Sequence, residues 1–155
     1  MELRLILGDQ LNLQHSWFRS PHEQVTYVLM QLRSETDYCQ HHLQKVIGMF
    51  MAMDAFAETL KAQGHRVLVQ RIDDATNHHT VLGNLGQLIA ELAEAGTPVT
   101  QWRYQSPDEQ RMDDALKAAA EALPIECQVD DSEHFLNLRD GFRQIFKPQA
   151  KTYRM

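Results

Sequence analysis

Two groups of residues in this chain have types and spacing that could do chemistry. The first is Gly8-Asp9-Gln10, which closes the apolar run Leu5-Ile6-Leu7 and is followed by Leu11. The first strand of an open α/β sheet ends this way where its carboxyl edge walls a ligand crevice. A glycine there permits a tight turn or a ligand's close approach to the backbone. The carboxylate and amide that follow put hydrogen-bonding groups at the strand mouth. The alternative is a plain turn carrying a solvated aspartate.

The second group is Glu35, Tyr38, His42, Lys45 and Met49, within the stretch SETDYCQHHLQKVIGMFMAM at 34–53. At about 100° per residue, a helix that includes Glu35 gathers all five within one quarter of its circumference. The apolar stripe of the later turns, Val46, Met49, Phe50, Met53, Phe56, Ala57 and Leu60, shares that sector. Such a helix turns its polar first turns toward the core, where a surface helix faces them to water. A polar pocket at the strand mouths follows. On the other reading Ser34 caps the helix, Glu35 and Asp37 favour its positive end, and His42 is a satisfied partner.

Other candidates carry less. His41 and His42 diverge by about 100° on a helix and cannot easily share one metal. His78 and His79 have no third ligand at a suggestive spacing. Asp73-Asp74 and Asp130-Asp131 follow expected strands and, with Asp9, resemble the acid set of a magnesium-dependent receiver domain. That arrangement also wants a lysine at a later strand end, and none stands near Val129. Gly83 and Gly86 fall inside a helical pattern, and the sequence holds no GxGxxG or GxxxxGK[ST] phosphate loop. Neither a metal set nor a catalytic residue is assigned.

The elements that must position these groups follow from the hydrophobic pattern. Strands are expected at Leu3–Leu7, Val25–Met30, Val67–Ile72, Pro98–Tyr104 and Ile125–Val129. Helices are expected at Asp37–Gln63, Thr80–Ala95 and Pro107–Leu123, with a weaker one at Arg139–Phe146. Gly64, Gly96 and Pro124 mark helix stops, and Ser106 before Pro107 reads as an N-cap. Alternating strands and helices imply an α/β fold: a doubly wound, mostly parallel, Rossmann-like five-stranded sheet with helices on both faces.

The 155 residues suit one core. With 43% hydrophobic and 23% charged residues the composition is that of a soluble globular protein. The N-terminus has no signal-peptide pattern, and Cys39 and Cys127 read as free thiols, so a cytoplasmic protein is expected. No apolar run reaches the roughly 20 residues of a membrane helix. The net charge is −6, with 15 Lys and Arg scattered among 21 acids. A surface that grips a phosphate backbone needs a basic patch, so these residues are not expected to be a main DNA-gripping surface.

Seven stretches carry a resemblance along the whole chain and in one order. They are LILGDQL at 5–11, ETDYCQHHLQK at 35–45, FMAMDAFAETL at 50–60 and GHRVLVQRIDD at 64–74. PDEQRMDDAL at 107–116, EHFLNLRDGF at 133–142 and the terminal Tyr153-Arg154-Met155 complete the set. The chain resembles the N-terminal domain of the deoxyribodipyrimidine photolyase-related proteins. These are bacterial iron–sulfur members of the photolyase/cryptochrome superfamily and include prokaryotic (6-4) photolyases. Gln31, Leu32 and Arg33 depart from the family pattern, as does Gly48, whose place inside a helix costs up to about 1 kcal/mol.

The resemblance implies a Rossmann-like antenna domain over 1–146. Residues 147–155 then form a tail leading toward a flavin-binding catalytic domain that is absent here. FAD, an iron–sulfur cluster and contact with DNA would belong to that domain. The whole protein would be a DNA photolyase, a carbon–carbon lyase, while this chain alone would hold the antenna chromophore 6,7-dimethyl-8-ribityllumazine. By the same resemblance, Gly8, Asp9, Gln10 and Leu11 would bond the ring or ribityl chain. Glu35 would accept hydrogen bonds, Tyr38 would pack on or bond the chromophore, and Met49 would line the floor. His42 and Lys45 receive no role. The alternative function is a nucleotide-binding or protein-interaction α/β module without catalysis.

Overall fold

A computed structural model describes residues 1–136 and Gly141. Five strands, β1 (Glu2–Ile6), β2 (Val25–Met30), β3 (Arg66–Gln70), β4 (Gln101–Gln105) and β5 (Glu126–Asp130), form one sheet in the order β3-β2-β1-β4-β5. Every neighbouring pair is parallel, with Leu3 of β1 opposite Thr26 of β2 on one side and Trp102 of β4 on the other. The chain therefore winds outward from β1 to β3, then returns and winds outward the other way. This is the doubly wound α/β arrangement expected from the strand–helix alternation, with its switch point between β1 and β4.

The side-chain alternation of the strands feeds two cores. Leu3, Leu5, Val28, Met30, Trp102 and Tyr104 pack against α2 (Val81–Glu94) and α3 (Gln110–Ala122). On the opposite face Ile6, Val25, Tyr27 and Leu29 pack against α1 (Leu43–Ala62) and against Trp17 and Phe18 of a short 3-10 turn. The interior strand β2 is buried along its whole length, as a strand covered on both faces must be. Gly64 and Gly96 follow α1 and α2 with φ of 90° and 77°, the left-handed conformation of a helix stop.

Three element starts differ from expectation by three residues or more, one of them β4, which begins at Gln101 and not Pro98. Helix α1 begins at Leu43, not Asp37. The single Thr36 hydroxyl proton has two acceptors in reach, the Arg33 carbonyl (3.3 Å) and Asp37 Oδ1 (2.9 Å), giving the backbone a local alternative to the helix. His42, rather than Ser34, is the N-cap, its Nδ1 accepting from the Gln44 amide at 3.2 Å. Helix α3 begins at Gln110 behind Glu109, which makes no side-chain capping bond, so Ser106 is not its cap. The helix expected at Arg139–Phe146 lies outside the described residues, Gly141 excepted. No helix among the described residues is long and apolar enough to cross a membrane.

Candidate functional site

Where β1 runs out, the chain turns through Leu7, Gly8 and Asp9, and the Gln10 amide donates back to the Leu7 carbonyl at 3.0 Å. The Gln10 side chain is buried within this corner. Its Oε1 accepts from the Leu7 amide (3.2 Å) and its Nε2 donates to the Gln105 carbonyl at the end of β4 (3.1 Å). A buried amide with both ends bonded is a rigid tie. Gly8 has no positive φ, and the room it leaves is taken by methionines of α1. A Cβ built there would meet Met53 Sδ at 3.3 Å and Met49 Cγ at 3.5 Å. Glycine at this corner thus makes room for helix side chains, and Gly8 also lines the cavity described below.

Asp9 stands at the lip, exposed at one edge. Partial burial raises its carboxyl above the ordinary carboxylate range, a bond to its own backbone works against that, and the nearby Asp108 adds to the rise.

The facing wall is the segment 33–42. It begins with a 3-10 turn, Arg33–Glu35, and reaches α1 without regular structure. Arg111, in the first turn of α3, holds it. Its Nη1 donates to Glu35 Oε1 (2.9 Å) and to the Ser34 carbonyl (3.1 Å). Its Nη2 donates to Glu35 Oε2 (3.2 Å) and Glu109 Oε2 (3.1 Å), and its Nε to Glu109 Oε1 (3.0 Å). The guanidinium carbon also lies 4.1 Å from the centroid of the Tyr38 ring. The Glu35 hydrogen bonds, opposed by burial and reinforced by Glu109, raise the guanidinium pKa above its already high ordinary value.

Between corner and wall is a cavity of about 260 Å³. Leu5, Leu7, Met30 and Leu32 form its floor, Val46, Met49 and Phe50 of α1 one side, and Val81 and Met112 the other. Its polar groups are carboxylates at Asp9, Glu35 and Glu109, with Tyr38, His41 and Lys45. An apolar slot with a few fixed acceptors and one cationic end suits a flat, partly polar organic ligand.

A family model described as deoxyribodipyrimidine photo-lyase-related protein matches residues 4–155. The chain belongs to this family. A curated relative of this photolyase-related chain is a (6-4) photolyase of Agrobacterium fabrum, 34% identical over 143 residues, which cover 92% of this chain and 27% of the relative. The chain thus spans about a quarter of that relative's length.

Of the residues singled out in the photolyase-related sequence, the structure brings Gly8, Asp9, Glu35, Tyr38, Lys45 and Met49 to one cavity. They do not arrive on one helical face, because Glu35 and Tyr38 precede α1. Gln10 and Leu11 stand outside the lining: the first has both ends of its amide bonded internally, and the second packs against the core under α1. His42 caps α1, and His41 lines the cavity in its place. Sequence reasoning missed Arg111 and Glu109. Arg111 lies 76 residues beyond Glu35, and an Arg near a helix start has no periodic signal to mark it. The nearest hint was its place inside the family-like stretch PDEQRMDDAL.

Proposed function

We propose that this photolyase-related chain is an antenna domain whose cavity holds 6,7-dimethyl-8-ribityllumazine. The observation that carries the reading is a mainly apolar cavity walled by a carboxylate that Arg111 holds in a fixed orientation. The residues suit the chromophore's chemistry. Leu5, Leu7 and Met49 offer dry walls to a flat two-ring system, and Glu35 offers an ionic acceptor to an imide N–H or a ribityl hydroxyl. Tyr38, Lys45 and His41 supply polar partners at the rim, where a hydroxylated tail can stay wet. The volume, about 260 Å³, favours a two-ring ligand over a whole dinucleotide.

The chromophore would supply absorption in the near ultraviolet or blue, with the energy passed to a flavin in a further domain of the whole protein. The apolar floor keeps water out, the tied β1 corner keeps the site rigid, and the chain does no bond chemistry. On this reading residues 1–146 are the antenna domain, with 147–155 leading to a domain that holds FAD and an iron–sulfur cluster and meets DNA. The whole protein is a cytoplasmic DNA photolyase.

A thermal-shift series with the lumazine, FAD and ATP in parallel tests the reading. The lumazine alone is expected to raise the melting temperature, as any ligand that binds only the folded state must. The Glu35→Ala variant is expected to lose that response while keeping its fold. Stabilisation by ATP in place of the lumazine would favour a nucleotide-binding module.

A further inference from the structure

The front wall of the cavity is unlike its other sides. The floor belongs to strands and the flanks to helices, but Glu35, Thr36, Tyr38 and His41 sit on a ten-residue segment, 33–42, between β2 and α1. Its backbone bonds are local: Glu35 to Leu32, and Thr36 and Asp37 to Arg33. Those bonds shape a turn but do not fasten it to the sheet. Segments with such sparse long-range bonding open at low free energy unless something else holds them.

Arg111 supplies the hold. A guanidinium has five N–H donors in a rigid fork. Here each finds an acceptor: both oxygens of Glu35, both of Glu109 and the Ser34 carbonyl. Tyr38 adds its ring face. The arginine also stands between two carboxylates that both line the cavity, so without it Glu35 and Glu109 would repel and the wall would be pushed outward.

We propose that Arg111 is the positioning residue of the cavity, a latch that fastens segment 33–42 to the start of α3. It presents Glu35 and Tyr38 as a preformed wall before any ligand arrives. A preformed wall lowers the ordering cost of binding and slows release. Lysine cannot replace it, because three donors on a point charge cannot serve five acceptor atoms and bring no planar group to the Tyr38 ring.

The test has an arm that needs no ligand and an arm that does; the second rests on the antenna reading. Hydrogen exchange of the 155-residue chain is compared for wild type, Arg111→Met, which keeps an apolar stem, and Arg111→Lys, which keeps the charge. In Arg111→Met, amides in 33–42 are expected to exchange about tenfold faster or more, while β1, β2 and β4 hold their protection. Arg111→Lys is expected to follow Arg111→Met. By stopped-flow fluorescence, release of 6,7-dimethyl-8-ribityllumazine is expected to quicken by about tenfold in both variants, with a smaller change in association.

Unchanged exchange in 33–42 overturns the latch, and so does loosening spread evenly over the sheet. Full rescue by lysine overturns it too, since charge alone would then suffice. If the wild-type chain does not bind the lumazine, the antenna reading falls and the exchange arm decides the latch by itself.

Discussion

The cavity has two kinds of wall, and they differ in what holds them. The floor at the end of β1 is built from side chains such as Leu5, almost wholly buried in the core beneath α2 and α3, and Gln10 ties its corner to β4. The facing wall at 33–42 is partly exposed, lacks regular structure after its 3-10 turn, and among the described residues is tied to the rest of the fold by Arg111. Changes in the floor should therefore be felt by the whole fold, and changes in the wall by the ligand. On the antenna reading, the same cavity divides stability and recognition between its two sides.

The largest expected effect lies in the floor. Leu5→Ala removes a side chain that is 1% exposed and should cost about 2–5 kcal/mol, read as a lower urea midpoint. Next comes the wall. Glu35→Ala should weaken lumazine binding by about 10–100-fold, the worth of a hydrogen bond to a charged group. Its cost in stability should stay below about 1 kcal/mol, because the Glu35–Arg111 pair is partly solvated. Parallel titration and denaturation check both numbers, and a large loss of stability would erase the contrast between the walls.

Smaller effects sharpen it. Gly8→Ala puts a methyl 3.3 Å from Met53 Sδ. Because a methionine end is flexible, the cost should be about 1 kcal/mol, with a modest loss of binding as Met49 shifts into the cavity. Asp9→Asn should have the smallest effect, and its sign depends on pH. Partial burial lifts the Asp9 carboxyl, so the folded state holds that proton more tightly than the unfolded chain does. Stability therefore falls as pH rises from the ordinary carboxylate range through the raised value, and the full penalty stands at neutral pH. The amide carries no such charge. Asp9→Asn should be slightly more stable than wild type at neutral pH, an advantage that melting curves should find gone in strong acid.

Much of the fold was legible because periodicity reports what is buried. Val25–Met30 was read to the residue, since six apolar or β-prone residues in a row can hardly be anything but a central strand. The starts of α1 and α3 were not legible in the same way. Ser34 and Ser106 both advertised a cap, but His42 closes the first turn of α1, and α3 starts behind Glu109 with no side-chain capping bond. The candidate site was half readable. Gly8, Asp9, Glu35, Tyr38 and Met49 do share a cavity, but the helical reasoning that joined Glu35 and Tyr38 to Met49 needs a helix from Glu35, eight residues before α1 begins. Arg111 was invisible because its partners are distant in the chain, and long-range ion pairs leave no mark on local pattern.

The glutamine tie between the first corner and the fourth strand bears on how still this scaffold can be kept. For the ends of β1 and β4 to swivel against each other, an amide bonded at both ends and 1% exposed would have to part where bulk solvent cannot take over its bonds. The two strand ends therefore tilt together, as one plate. If the cavity does house a light absorber, that plate acts as an optical mount: transfer efficiency depends on the angle between donor and acceptor, and the angle holds only while its support does not twist.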